Sequence, residues 1–270
     1  MPELPEVETT LRGIAPYVDG KVLNKVVVRN ANLRWPVPVN EVNALQGSAV
    51  RKVSRRAKYI LIHFEHAVLM LHLGMSGSLR VVDASHPAAK HDHIDLVFGA
   101  RAIRFNDPRR FGCCLVIQAP VESHKLIENL GPEPLGDRFD GDYLFKRSRG
   151  KKVAVKNFIM DGQVVVGVGN IYASESLYAA GIRPTVAAQR VSRARYQRLA
   201  EEIKRVLAKA IKAGGTTLND FTQADGKPGY FRHELQVYGR AGAPCHHCGN
   251  EIQSKVIGQR NTFYCRCCQT

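Results

Sequence analysis

The first six residues, MPELPE, place an amine and two carboxylates at short spacing. A small residue at position 2 favours removal of Met1, which would leave the secondary amine of Pro2 at the terminus. An α-amino group has a pKa of about 8, so part of it is neutral at physiological pH and can attack an electrophilic carbon to form an iminium. Glu3 and Glu6 are candidate catalytic residues that could donate or accept protons beside it. In the alternative interpretation, these carboxylates only complement the dipole of a helix that begins near Pro5.

Four cysteines near the C-terminus have the spacing of a zinc site. They form two C-x2-C pairs, Cys245 with Cys248 and Cys265 with Cys268. Two such pairs complete a tetrahedral four-thiolate site with no open position. The predicted zinc ion is therefore structural, and it would brace the intervening residues as a hairpin with Arg260 near its tip. Two disulfides or free thiols are the alternative.

Two loop-like segments carry weaker signals. Residues 167–169 read Gly-Val-Gly, and glycines before a helix start let the backbone approach an anion; Asn170 is predicted to cap a helix over 171–180. A tight turn is an equal interpretation. In residues 107–112, an arginine and an aromatic two positions apart, Arg109 and Phe111, could enter a DNA base stack. The alternative is a salt-bridged turn with a buried phenylalanine.

Several single residues have two interpretations each. Met75 is a third candidate for insertion into a base stack, or a core residue. His72 is a candidate site residue or a strand histidine with its hydrogen bonds satisfied. Lys58 is a buried cation near an active site, or an ordinary lysine at the start of a strand. The basic run at 146–152, which includes Lys151, is a solvated surface or a phosphate contact.

The charge of the whole chain indicates a polyanionic partner. Lys and Arg number 39 against 24 Asp and Glu, a net charge of +15 over 270 residues. A protein this basic usually binds nucleic acid, and a membrane surface is the weaker alternative. No apolar run reaches the roughly 18 residues of a transmembrane helix, and the acidic N-terminus is unlike a signal peptide. We therefore expect a cytosolic or nucleoid protein, no membrane partner, and metal binding rather than disulfides among the seven cysteines.

The elements that must position these residues change type along the chain. Apolar or alternating runs predict strands at 22–28, 58–64, 67–73, 78–82, 93–98, 102–105 and 113–117, which favours a β-sandwich or barrel. A proline- and glycine-rich stretch at 131–136 predicts a hinge or linker. The clearest helix is predicted over 191–214, with Ser192 as its N-cap.

Six motifs spread over the whole chain resemble one family. They are PELPEVET at 2–9, HLGMSG at 72–77, KHDH at 90–93, DPRRFG at 107–112, GVGNIY at 167–172, and the cysteine quartet. In this order they resemble bacterial formamidopyrimidine-DNA glycosylases, also described as 8-oxoguanine DNA glycosylases. The resemblance implies base-excision repair: a flipped-out oxidised purine is removed from damaged double-stranded DNA, and the abasic strand is then cleaved by β,δ-elimination.

The resemblance also implies roles for individual residues. Pro2 would attack the sugar C1′ and form a Schiff base, with Glu3 supplying protons. Lys58 would assist base loss and β-elimination, and Arg260 would contact a phosphate and assist δ-elimination. The residues that would fill the void left by the flipped base are Met75, Arg109, which would face the orphaned cytosine, and Phe111. DNA-backbone contacts are implied for His72, His91, Lys151, Asn170, Tyr172 and Arg260, and residues 226–231 match a mobile loop over the flipped base.

The implied fold is α+β and multidomain. A catalytic β-sandwich domain with an N-terminal helix would span 1–130, a linker 131–150, a helix–two-turn–helix DNA-binding domain 151–235, and a zinc finger 236–270. DNA would lie in the cleft between the domains of a monomer. One structural zinc ion is implied, and neither a catalytic metal nor an organic cofactor is.

Two other functions fit part of the sequence. An endonuclease VIII-like enzyme would share the fold and the Pro2 chemistry but prefer oxidised pyrimidines. A non-catalytic zinc-containing DNA-binding protein would explain the charge and the cysteines but gives Pro2, Glu3 and Lys58 no role. The glycine at position 162 and the pair Cys113-Cys114 depart from the family's pattern, with expected effects on loop flexibility and oxidation sensitivity only.

Overall fold

The structure, a computed structural model, describes residues 2–118, 120–216 and 231–270, without the side chains of residues 232 and 233. The chain divides into two compact units. Unit 1 comprises Met1–Glu128 and Ala213–Arg232, and unit 2 comprises Asn129–Lys212 and His233–Thr270. Of the loop predicted at 226–231, all but Phe231 lies outside the described residues.

In its described residues, unit 1 is built on eight strands in two antiparallel sheets. The strands are β1 (Lys25–Val28), β2 (Lys52–Arg56), β3 (Tyr59–His63), β4 (Val68–His72), β5 (Ser78–Asp83), β6 (Asp92–Phe98), β7 (Arg101–Asn106) and β8 (Cys113–Ile117). One sheet has the order β1-β6-β7-β5 and the other β2-β3-β4-β8. Buried residues of both sheets, such as Ile62 and Leu71 in one and Leu96 and Ile103 in the other, share a single apolar core. The predicted β-sandwich is confirmed.

All seven predicted strands are present, but the sequence did not predict β2. Strand β2 is a sheet edge with the sequence Lys-Val-Ser-Arg-Arg, so charged side chains hide its alternation. Charged residues are common on edge strands because they discourage pairing with other chains. The short helix α2 (Val39–Asn43) was also not predicted.

Helix α1 (Leu4–Val18) begins one residue before the predicted start and packs against the sandwich. Leu4, Val7 and Ile14 are at most 1% exposed, and their spacing places them on one face of the helix. Pro5 occupies the first turn, where its missing N–H leaves no hydrogen bond unmade. The apolar face of α1 therefore fixes the N-terminal residues on the sandwich.

Unit 2 is helical in its first part, as predicted. Its helices are α3 (Gly141–Ser148), α4 (Val155–Met160), α5 (Asn170–Ala179) and α6 (Arg193–Lys212). The backbone N–H of Arg195 donates to Oγ of Ser192 at 3.4 Å, which supports the predicted N-cap. The predicted linker at 131–150 contains α3, which packs against α6.

A two-stranded hairpin, β9 (Ile252–Ile257) and β10 (Arg260–Cys265), follows in unit 2. Its turn residues Gly258 and Gln259 both have positive φ, 56° and 61°, as in the tight type I′ turn of two-residue hairpins. Arg260 is therefore the first residue of the returning strand, next to the tip, as predicted. Among the residues described, no helix combines the length and the apolar character needed to cross a membrane.

Candidate active site and nucleic-acid-binding residues

The N-terminal residues are buried at the start of α1. Pro2 is buried, and Glu3, the N-cap, and Glu6 are each 2% exposed. The backbone N–H of Glu3 donates to Oε2 of Glu6 at 2.9 Å, and the N–H of Thr216 donates to Oε1 at 2.9 Å. Both Glu6 oxygens thus hold backbone groups, which favours a positioning role for Glu6 over proton transfer.

Lys58 lies in the two-residue turn between β2 and β3, not within a strand. Ala57, the other turn residue, has a φ of 54°, and its carbonyl accepts a hydrogen bond of 2.8 Å from Nη1 of Arg55. Nε of Arg55 also donates to Oε2 of Glu8 on α1 at 2.9 Å. Burial raises the pKa of Glu8, but the hydrogen bonds from Arg55 and Arg12 outweigh it and the pKa is lowered. A charged Glu8 thereby connects α1 to the turn that carries Lys58.

Two loops of the sandwich are joined by the buried carboxylate of Asp107. Its Oδ1 accepts a hydrogen bond of 2.9 Å from the hydroxyl of Ser76, and its Oδ2 accepts one of 2.8 Å from the N–H of Gly112. Oγ of Ser76 in turn accepts from the N–H of Arg109 at 3.3 Å. A Cβ at Gly74 would lie 2.5 Å from the backbone nitrogen of Gly112, so only glycine permits this approach. We call these two loops, residues 74–77 and 107–112, the wedge loops.

The structure brings the three predicted void-filling residues onto the wedge loops. Met75 is half-buried, and Phe111 is 42% exposed, which excludes the buried-phenylalanine interpretation. The guanidinium of Arg109 lies 4.7 Å from the ring centre of Phe111, a cation–π distance. His91, also predicted to contact DNA, lies next to them, because its carbonyl accepts a 3.0 Å hydrogen bond from the N–H of Asp107.

His72, at the end of β4, is held in one tautomer. Its Nδ1 accepts a hydrogen bond of 3.0 Å from the N–H of Gly74, so the proton of the neutral ring is on Nε2. Burial and the positive charges of Lys58 and Arg34 lower the pKa of His72 to about 4, against the opposing effect of Asp107. His72 is therefore a neutral imidazole whose Nε2–H can donate to an anion.

In unit 2, a buried lysine joins α4, α5 and the hairpin. Lys156, 0% exposed, donates from Nζ to Oδ1 of Asn170 and to Oγ1 of Thr262, each at 2.5 Å. Nδ2 of Asn170 donates to the carbonyl of Asn261 at 3.0 Å. These bonds fix the start of α5 against the strand that begins with the exposed Arg260.

The structure corrects the prediction that Asn170 caps α5, and it gives the exposure of two further predicted DNA contacts, Tyr172 and Lys151. The N-cap of α5 is Gly169, which has no side chain to make a cap hydrogen bond; the Asn170 side chain instead bonds Lys156 and Asn261. Tyr172 is 0% exposed, and its predicted contact with the DNA backbone stays a prediction. Lys151 is exposed, as a phosphate contact requires.

The four predicted zinc ligands come together. All four sulfur atoms, of Cys245, Cys248, Cys265 and Cys268, lie within 4.8 Å of one another. The Sγ–Sγ distances are 3.9 Å for Cys245–Cys268 and 3.5 Å for Cys248–Cys265, close to the spacing of about 3.8 Å expected for Zn–S bonds of about 2.3 Å in a tetrahedron. The residues therefore fit one structural zinc ion, which would hold the β9–β10 hairpin in place.

Three buried polar residues that organise these sites escaped the sequence analysis. They are Asp107 in unit 1 and Lys156 and Glu175 in unit 2; Glu175 accepts backbone N–H bonds of 2.8–3.0 Å from Gln236, Val237 and Tyr238. Spacing gives no signal for such residues because their partners are distant in the chain. Asp107 lies inside the motif at 107–112, and Lys156 bonds Asn170 of the motif at 167–172. This proximity to recognised motifs was the available signal for those two residues.

Comparison with known families covers most of the chain. A model described as the formamidopyrimidine-DNA glycosylase N-terminal domain matches residues 1–114. A model of the H2TH domain of the same enzyme matches residues 130–222. A third, the zinc finger found in FPG and IleRS, matches residues 242–270.

Individual proteins resemble the chain over its full length. The formamidopyrimidine-DNA glycosylase of Alcanivorax borkumensis is 60% identical, with 100% of each chain covered. Lactococcus lactis Fpg in complex with abasic-site DNA has a TM-score of 0.92 at 31% identity, with 99% of each chain covered. A variant of the same protein bound to Fapy-dG-containing DNA has a TM-score of 0.93 at 30% identity, with 100% of each covered. The chain thus belongs to the formamidopyrimidine-DNA glycosylase family.

Proposed function

We propose that this protein removes oxidised purines, including formamidopyrimidines and 8-oxoguanine, from duplex DNA and then cleaves the strand at the abasic site. The structural observation that carries the proposal is the buried N-terminus, where Glu6 holds the backbone of Glu3 beside Pro2. In a non-catalytic DNA-binding protein, Glu3 and Glu6 would serve only as a capping box for α1. Family membership and the DNA complexes of the Lactococcus lactis protein support the substrate class.

The chemistry follows from the amine of Pro2. Its lone pair forms a bond to C1′ of the sugar as the bond from C1′ to the base breaks. The base leaves with that electron pair and takes a proton, which Glu3 supplies. The nitrogen then loses its proton, and its lone pair forms the C=N bond of an iminium as the C1′–O4′ bond breaks and O4′ takes up a proton. The N-terminal end of α1 lies two residues away, and a helix N-terminus disfavours added positive charge in its neighbourhood.

The iminium then serves as an electron sink for strand cleavage. Loss of a C2′ proton drives electrons toward the iminium and expels the 3′ phosphate, which is β-elimination. We assign proton transfer in this phase to Glu3 and charge stabilisation to Lys58. Arg260 would stabilise a phosphate during the second, δ-elimination.

The remaining assignments concern DNA binding. Met75, Arg109 and Phe111 would replace the flipped base, since all three lie on the wedge loops. His72, through Nε2–H, and His91, Lys151, Asn170 and Arg260 would contact the backbone. The domain limits proposed above (1–130, 131–150, 151–235 and 236–270) and a location at the bacterial nucleoid belong to the same proposal.

Borohydride trapping tests this function. The protein is mixed with duplex DNA carrying one 8-oxoguanine opposite cytosine, the iminium is reduced to a stable amine, and the cross-linked peptide is identified by mass spectrometry. We expect an adduct on Pro2. A variant with Gly-Ser inserted before Pro2 is the matched control, because it keeps an α-amine but moves it, and it should give no adduct.

Other outcomes would contradict specific parts of the proposal. An adduct on a lysine would remove Pro2 from the mechanism. An adduct formed only with an oxidised pyrimidine would assign the protein to the endonuclease VIII-like class. Tight DNA binding without any adduct would indicate a DNA-binding protein that lacks the chemistry.

A further inference from the structure

An arginine outside the assigned site residues lies beside the wedge loops. The backbone N–H of Arg34 donates to the carbonyl of Gly112 at 3.2 Å, so its position follows that of the loop that carries Arg109 and Phe111. The flanking residues Leu33 and Val37 are 8% and 5% exposed and belong to the sandwich core. Arg34 is therefore held by backbone and core contacts on both sides.

The loop around Arg34 is also closed by local hydrogen bonds. The N–H of Asn32 donates to Oδ1 of Asn30 at 2.9 Å, and the N–H of Val37 donates to the carbonyl of Ala31 at 2.8 Å. Asn32 and Pro36 form an isolated bridge. A loop held this way loses little backbone entropy when it binds a ligand.

The charge of Arg34 is exposed and has no carboxylate partner among the described residues. Its guanidinium stacks on Trp35, with its central carbon 5.2 Å from the ring centre. Stacking occupies the face of the guanidinium and leaves its N–H edge open, and this edge matches two oxygens of a phosphate. By contrast, Arg29, Arg80 and Arg104 of unit 1 each pair with the carboxylate of an aspartate.

Arg34 also belongs to a group of cations with related predicted roles. Its charge, with that of Lys58, acts on His72 and depresses the pKa of that ring. The charge of Arg34 also acts on Tyr59. The ring centre of Tyr59 lies 5.0 Å from that of His72. Lys58 and Arg109 are cations with proposed roles at the DNA, and His72 is a proposed neutral donor to its backbone, so Arg34 adds positive charge beside them.

We propose that Arg34, supported by Trp35, binds a backbone phosphate of the DNA that the wedge loops enter. This inference rests on the proposed function, because it takes duplex DNA as the ligand. Its new element is a phosphate-binding residue at 34, tied to Gly112 and independent of the known motifs. Phosphate binding by Arg34 would fix the wedge loops against the duplex.

The dependence of affinity on salt tests the contact directly. Each phosphate neutralised by the protein contributes about 0.9 to the slope of log affinity against log salt concentration. The dissociation constant of a duplex with a reduced abasic-site analogue is measured by anisotropy across a range of KCl concentrations. We expect Arg34→Gln to reduce the slope by about 1 and to weaken binding by roughly three- to tenfold at physiological salt.

Arg51→Gln is the matched control. Arg51 precedes β2, at the opposite end of its sheet from His72; it is 62% exposed and pairs with Glu65 at 3.0 Å. The same charge is removed, so an effect of net charge alone would appear in both variants. We expect the control to keep the wild-type slope, and Arg34→Lys to keep the slope but lose part of the affinity.

Duplexes with a single neutral methylphosphonate locate the contact. Neutralisation of the phosphate at one position should lower the affinity of the wild-type protein for the duplex and leave the affinity of Arg34→Gln unchanged. Equal slopes for Arg34→Gln and Arg51→Gln, or no such position, would overturn the inference while leaving the proposed function intact. If the affinity of the wild-type protein for DNA did not change with salt concentration, both the inference and the proposed function would be overturned.

Discussion

The sandwich of unit 1 and the zinc hairpin of unit 2 rest on very different apolar cores. Among the described residues, twenty-three buried ones form the main core of unit 1, whereas five form the core around the hairpin. Two of those five, Cys245 and Cys265, are predicted zinc ligands. Apolar burial stabilises by about 25 cal/mol per Å², so a core this small cannot fold its segment alone. Structural zinc contributes about 10–16 kcal/mol in comparable fingers.

This difference separates two kinds of dependence. The residues proposed for chemistry, Pro2, Glu3 and Lys58, are positioned by the sandwich and by Glu6, Glu8 and Arg55. Arg260 is positioned by the hairpin and, through Lys156, by α4 and α5. We therefore expect metal loss to affect DNA binding far more than the fold around the N-terminus.

Zinc removal should have the largest effect. Chelation, or Cys248→Ser, should weaken DNA binding by at least about a hundredfold, since loss of zinc-coupled folding removes the support of Arg260. Trp35, the one tryptophan of the chain, lies in unit 1 and should keep its native emission and thermal transition. Cys267→Ser, an exposed cysteine outside the quartet, should change neither. Simultaneous loss of the Trp35 transition would contradict the separation.

Glu6→Gln should act on chemistry more than on binding. The amide keeps one acceptor but turns an N–H2 toward the second backbone donor, which leaves a buried clash worth about 1–3 kcal/mol of unfolding free energy. We expect the single-turnover trapping rate to fall by roughly tenfold or more, with lesion-DNA affinity nearly unchanged. Glu41→Gln, at an exposed position of α2, is the control and should keep the wild-type trapping rate. A large loss of affinity with a normal trapping rate would count against the positioning role.

Ser76→Ala should loosen the wedge loops. It removes the hydroxyl that bonds Asp107 at 2.9 Å, at a cost of about 1 kcal/mol in unfolding free energy. Affinity for the lesion duplex should fall several-fold, because Met75 and Arg109 lose their fixed separation. Ser54→Ala loses a comparable bond, to His63 at 2.7 Å, and should match the stability loss without the binding loss. Equal affinities in the two variants would argue against this role for Ser76.

The smallest effect concerns pH. His72 takes up a proton in the unfolded chain below its ordinary pKa of about 6.5 and in the folded protein only below about 4. Its contribution to stability is therefore present above pH 6.5 and is lost as the pH falls toward 4, by about 1 kcal/mol near pH 5.5. In His72→Gln, the unfolding free energy should decline less between pH 6.5 and 5. An identical decline in both proteins would exclude this assignment.

Local patterns in the sequence predicted much of the fold. Apolar periodicity located α1, α6 and seven strands, and cysteine spacing located the zinc site, because in each case the signal lies within a short window. Strand β2 was missed because charged side chains replace the apolar ones at a sheet edge. The glycines and prolines at 131–136 gave no information about where α3 begins, so the limits of the predicted linker stay a prediction.

The connections between sites could not be predicted in the same way. Lys156 looks like a solvent-exposed lysine in sequence, yet its ammonium is fully buried between Asn170 and Thr262. Cys113 and Cys114 look sensitive to oxidation, yet both are buried, and burial raises the pKa of Cys113 to about 12, which disfavours the reactive thiolate. Both properties depend on partners that only the folded chain brings together.

The β9–β10 hairpin also has a fixed length. Arg260 and Cys265 are the two ends of the six-residue strand β10, and the five residue steps between them span about 17 Å. The tight two-residue turn at Gly258 and Gln259 fixes the backbone at the end of the hairpin next to Arg260. The position of the metal at one end of the hairpin therefore determines where the guanidinium of Arg260 lies at the other end. Arg260 can reach a phosphate only at this fixed distance from the metal.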